Sequence, residues 1–132
     1  MRGPRTSPIW WEDAKTHLRN VDSKMGQIMD SVEFPPLQGF GDIVITLCNA
    51  VVGQQISSKA AESIWTRFID LMGGEFNSNI VIELDEHSLR NVGLSRMKIR
   101  TMKEICESAE FLRTVEWELL TEEDIQSILT KT

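Results

Sequence analysis

Between Asn49 and Phe68 the chain reads Asn-Ala-Val-Val-Gly-Gln-Gln-Ile-Ser-Ser-Lys-Ala-Ala-Glu-Ser-Ile-Trp-Thr-Arg-Phe. An apolar run ends at Gly53, a short polar gap follows, and an amphipathic segment begins at Ser57 or Ser58. Either serine can cap a helix, because its hydroxyl accepts a bond from an orphan N–H of the first turn. From there Ala60, Ala61, Ile64, Trp65, Phe68 and Leu71 recur at the spacing of one helix face. Upstream, residues 42–52 are apolar almost all round. Ile43-Val44-Ile45 alone would suit a strand, but the length of the run and the helix after it predict a buried central helix. The pair of helices should therefore form the middle of the fold. In the gap between them sit Gln54 and Gln55, long amides where a simple turn would use Gly, Asn, Asp or Pro. Solvated glutamines on a loop are the plain alternative to a functional pair.

The rest of the chain supplies further helices. Residues 1–8 read as a flexible lead-in. A stripe of Trp10, Trp11, Ala14 and Leu18 follows, then Asp22 or Ser23 can open a short helix carrying Met25, Ile28 and Met29. Pro35-Pro36 should end it, since neither proline donates an N–H. Leu37-Gln38-Gly39-Phe40-Gly41 has the glycine spacing of a phosphate-gripping hairpin, but the prolines cut the helix such a hairpin needs. A loop feeding Phe40 into the core is expected instead. Gly73-Gly74 stops the helix that begins near Ser57, and residues 79–84 fit either a short helix or an extended segment. Asp85 and Ser95 can cap the next two helices, the second with Met97, Ile99, Met102, Ile105, Cys106 and Ala109 inward. Thr121 to Asp124 is an N-terminal cap with acids suited to the helix dipole, leading into Ile125, Ile128 and Leu129. The prediction is an all-α fold of about seven helices with at most a token strand, one domain over residues 9–132.

Composition bounds the chemistry. Apolar content of 41% and charged content of 26% fit a folded, soluble chain, and the apolar runs fall short of the ~20 residues of a membrane helix. A cytoplasmic protein, bound to the nucleoid if bacterial, is expected, with no membrane partner. Cys48 and Cys106 are too few for a disulfide framework and lack metal-ligand spacing, as do the isolated His17 and His87. No metal or cofactor is expected. The net charge of −6 counts against nucleic acid, whose binders usually carry a basic footprint. Yet Arg90, Arg96, Lys98, Arg100 and Lys103 run without an intervening acid. A solvated helix face accounts for that strip as well as a DNA contact does.

Gly53-Gln54-Gln55-Ile56-Ser57, with Ala60 and Ala61 following, resembles the signature loop of the helix-hairpin-helix DNA glycosylases. The nearest branch is the one acting on alkylated bases, of the 3-methyladenine type II kind. The likeness runs from Trp10-Trp11 and His17-Leu18 through Leu89-Arg90 and Gly93-Leu94-Ser95 to Lys98. It implies base-excision repair by an all-α DNA N-glycosylase whose partner is double-stranded DNA with damaged bases. Such an enzyme turns its target base out of the stack and fills the gap. The resemblance places that wedge at Gln55, supported by Gln54, with Ser57, Ser58, Arg96 and Lys98 as further DNA-binding residues. Gly93-Leu94-Ser95 with Arg96 and Lys98 is similar to the family's Gly-Leu-Ser-x-x-Lys turn; a plain helical corner is the alternative. The four-cysteine iron–sulfur loop of some relatives is absent. In the family, a hairpin of the form apolar-x-Gly-apolar-Gly and then the catalytic aspartate follow the helix equivalent to residues 121–129. The chain reaches only Thr132, so no catalytic residue is assigned, a truncated and inactive scaffold is expected, and an uncovered apolar patch at its end should self-associate. Other readings are a non-catalytic helical DNA-binding or interaction module, and a helical domain in which the two glutamines have no special task.

Overall fold

The computed structural model describes residues 7–32 and 39–131. They form two compact units, divided between Gly41 and Asp42. In the first, α1 (Trp11–Val21) packs on α2 (Ser23–Ser31). Asp22 separates them in extended conformation and caps α2, accepting from the N–H groups of Lys24 and Met25 at 2.9 and 3.0 Å. An ion pair between Arg19 and Asp30 ties the two helices. Residues 1–6 of the lead-in, the Pro35-Pro36 stop and the Leu37-Gln38 start of the glycine-spaced loop lie outside the described residues. Phe40, at the end of that loop, is half-buried.

The second unit holds α3 (Ile43–Gly53), α4 (Ser58–Leu71), α5 (Ser78–Glu83), α6 (Glu86–Asn91), α7 (Arg96–Glu107) and α8 (Ala109–Thr114). A 3-10 turn (Trp117–Leu119) and α9 (Glu122–Lys131) complete it. No strand occurs among the described residues, so the all-α reading holds, with nine α-helices there instead of about seven. The ambiguous 79–84 segment is helical because Asn77 caps it, accepting from the N–H groups of Asn79 and Ile80. The long helix expected after Ser95 breaks at Ser108 into α7 and α8.

Helix α3 is central, as its composition requires. Val44, Cys48 and Val52 are fully buried, and α3 packs against α4, α7 and α8. Asp42 opens it, accepting from the Ile45 N–H at 3.1 Å and from Arg113 Nε at 2.9 Å. Burial alone would raise the Asp42 carboxyl, but the Arg113 and backbone bonds prevail and hold it below its ordinary range. Cys48 and Cys106 are free and buried; a hydrogen bond to Cys106, then burial, push the Cys48 thiol far up. Trp65 lies with Phe68 and Phe76 at centroid distances of 5.5 and 6.3 Å, which is core packing and not a stacking platform for bases.

Two stripes need correction at their ends. On α4 the buried line runs Trp65, Phe68, Met72, while Ala60 and Leu71 fall on its edge and are exposed. On α7 it runs Ile99, Met102, Ile105, Cys106, whereas Met97 is 79% exposed. Met97 stands two residues before Ile99, which at ~100° per residue puts it on the far side.

Candidate nucleic-acid interface

The gap between α3 and α4 is a tight corner of residues 54–57. Its first residue, Gln54, leaves the helix with φ −62° and ψ 130°. Gln55 then takes φ 58°, the one positive φ outside glycine among the described residues. A side chain in that left-handed region costs ~1–2 kcal/mol, so the surroundings must hold it there. Ser57 provides one support by capping α4, its Oγ accepting from the Ala60 N–H at 3.2 Å. Ser58 is the first residue of α4 and is exposed. Gln54, Gln55 and Ile56 are all exposed on the corner, Ile56 by 38%. The two glutamines therefore stand on a short, braced projection.

Lys98 supplies the second support. Its Nζ donates to the carbonyls of Val52 and Gln54, at 2.9 Å each. These carbonyls end α3, where the helix leaves acceptors without partners and the dipole favours a cation. Lys98 itself sits in the first turn of α7, and its N–H donates to Ser95 Oγ, the cap of that helix. Two other cations work in the same way. Lys103 Nζ donates to the carbonyls of Ile82 and Leu84 at the end of α5, and Arg67 donates from Nε and Nη2 to the carbonyl of Val92 at the end of α6.

The basic strip thus reads differently in space. Lys98 and Lys103 point at helix ends, Arg96 pairs with Glu86 at 2.9 Å, and Arg100 pairs with Glu104 at 3.0 Å. Arg90 is exposed in the last turn of α6. Two of the five cations thus close helix ends, and two more form exposed ion pairs that add little to stability. Of the six residues expected to meet DNA, the structure joins Gln54 to Lys98 directly, sets Gln55, Ser57 and Ser58 on the same corner, and pairs Arg96 with Glu86. Arg67 and Lys103 were not legible as structural cations, because nothing in a charge pattern tells which carbonyl an ammonium or guanidinium faces.

The α6–α7 turn is also braced. Gly93 has φ 110°, and a Cβ there would stand 3.0 Å from Ile64 Cγ1 on α4. The Gly-Leu-Ser turn therefore lies hard against the helix that follows the glutamine corner. Leu94 is buried and Ser95 exposed.

A family model for base excision DNA repair proteins of the HhH-GPD superfamily matches residues 48–127, which include both the corner and the turn. The chain belongs to this superfamily. Among solved structures, the 3-methyladenine DNA glycosylase of Schizosaccharomyces pombe, in complex with abasic DNA, is similar over 90% of this chain and 62% of its own. The TM-score is 0.78 at 28% identity. The DNA-3-methyladenine glycosidase of Bacillus halodurans is similar over 95% of this chain and 57% of its own, with a TM-score of 0.57 at 28% identity. The chain thus spans about three fifths of the length of both. No curated protein matches it significantly. Among the described residues no group of His, Cys, Asp or Glu could hold a metal ion, and no helix is long and apolar enough to cross a membrane.

Proposed function

We propose that the chain is the duplex-gripping, gap-filling part of a DNA N-glycosylase that removes alkylated bases. The observation that carries this is the exposed Gln55, held in a left-handed conformation at the tip of a corner braced from α4 and α7. A wedge must enter the space of an extruded base without its own backbone yielding, and it must offer hydrogen bonds to the orphaned partner base. A glutamine on a rigid corner meets both needs. Support for alkylated bases as the substrate class comes from the two similar structures, both of 3-methyladenine enzymes. Stabilising the sugar cation of base release calls for a carboxylate aimed at the reacting carbon. Among this chain's aspartates, Asp22 and Asp42 cap α2 and α3 instead.

Titrating residues 1–132 with a labelled duplex, intact or carrying an abasic site, at two salt concentrations tests the reading. Tighter binding to the abasic duplex is expected, with shallow salt dependence, because Lys98 and Lys103 are engaged within the protein and Arg96 and Arg100 each already face a carboxylate. Base release from alkylated DNA should be absent with these residues alone. Equal affinity for both duplexes, or no binding, would remove the proposal.

A further inference from the structure

We propose that Lys98 is a positioning residue for the wedge: by holding the Gln54 carbonyl it sets the backbone conformation from which Gln55 projects. The inference rests on the wedge reading of Gln55. Its geometry is local and specific. The peptide group between Gln54 and Gln55 turns about two angles, ψ of Gln54 and φ of Gln55, which are 130° and 58°. Because that group is planar, fixing the direction of its oxygen constrains the two angles together. Lys98 Nζ lies 2.9 Å from that oxygen and 2.9 Å from the carbonyl of Val52 at the end of α3. One ammonium thus locks the corner to the helix that precedes it. Its reach is fixed in turn, since Ser95 caps the first turn of α7 around Lys98 and Arg67 ties the preceding turn to α4.

This places Lys98 at odds with a simple phosphate contact. A cation that binds phosphate contributes to every duplex and to the salt dependence. A cation that shapes the corner contributes only where the wedge has a gap to enter. The two roles separate by experiment in the 132-residue chain, with abasic and intact duplexes measured side by side. Gln55→Ala should weaken the abasic duplex on the order of tenfold, the scale of losing one stacked or bidentate base contact, and leave the intact duplex nearly unchanged. Lys98→Ala should reproduce this selectivity with an unaltered salt slope. The double variant should be no weaker than Gln55→Ala alone, because a wedge that is absent cannot be mispositioned. Lys98→Arg, which keeps two donors, should restore most of the abasic preference, whereas Lys98→Met, which keeps only the apolar stem, should not.

Should the alanine variant fail to fold, the Arg and Met pair carries the same contrast. The inference is overturned if Lys98→Ala weakens both duplexes alike and the salt slope falls by about one, or if Lys98→Met keeps the abasic preference. Equal losses on both duplexes for Gln55→Ala itself would instead overturn the wedge reading, whatever Lys98 does.

Discussion

Replacing Trp65 by alanine removes a ring that lies in contact with Phe68 and Phe76 and is 7% exposed. A loss of ~3–5 kcal/mol is expected, read from the urea midpoint; a loss under ~1 kcal/mol would mean that the site collapses around the gap. Asp42 carries a pH dependence of definite sign. Its folded carboxyl is held below the unfolded value by Arg113 and by the N–H groups of α3. The stabilisation is therefore complete above the unfolded pKa and lost as pH falls through the folded one. Asp42→Ala should cost ~1 kcal/mol near pH 7, chiefly the lost cap, since the partly exposed ion pair adds little. The difference from wild type should shrink below pH 4, measured by thermal unfolding across that range. The caps at Ser57, Asp85 and Ser95 were legible because a cap is decided within three residues of chain; the cap at Asp42 was not singled out, since the apolar run after it drew the reading. Lys98 was legible as a charge and, through the resemblance, as a DNA-binding residue, but not as a clamp on the corner. Its acceptors lie 44 and 46 residues away, and no local pattern encodes which way a long flexible side chain turns.

At the level of the elements, Gly93 joins α6 to α7 where two demands coincide, φ 110° and a neighbour 3.0 Å from any Cβ. Gly74 shares only the first, with φ 96° and open space around it. Gly93→Ala should cost ~1–3 kcal/mol, Gly74→Ala about 1 kcal/mol, and paired melting curves would measure the gap. If the two are equal, Ile64 moves aside and the turn is not pressed on α4. The existence of the long helices α3, α4 and α7 could be read from apolar spacing, and so could the stop at Gly73. What could not be read was α5. Ile80, Val81 and Ile82 are β-branched and favour strands in isolation. The Asn77 cap and the burial of Val81 among the helices decide otherwise. Stripe ends failed for a related reason: periodicity gives a face, but neighbours decide where along it burial stops.

At the scale of the molecule, the self-association expected from an uncovered apolar end meets an end that is partly covered. Ile125, Ile128 and Leu129 are half-buried, with Leu129 packed against the core. Met97, Phe111 and Leu119 are exposed by 79, 55 and 77%. Concentration-dependent mass is expected in light scattering between micromolar and millimolar protein, and a constant monomer mass would count against it. A net charge of −6 gives DNA no long-range attraction to this chain, so the DNA binding proposed above has to rest on contact. The acidic balance was legible from composition. The use of Lys98, Lys103 and Arg67 to close helix ends was not, because it is a property of the assembled fold.

Those three clamps set an order on biosynthesis. The carbonyl of Gln54 is made 44 residues before the lysine that will hold it, and Val92 is made 25 residues after its arginine. At ~5–20 residues per second the glutamine corner waits seconds for its anchor. Nascent chains stalled before Lys98 should thus be cut by protease at residues 54–57, and chains stalled well past α7 should be protected there.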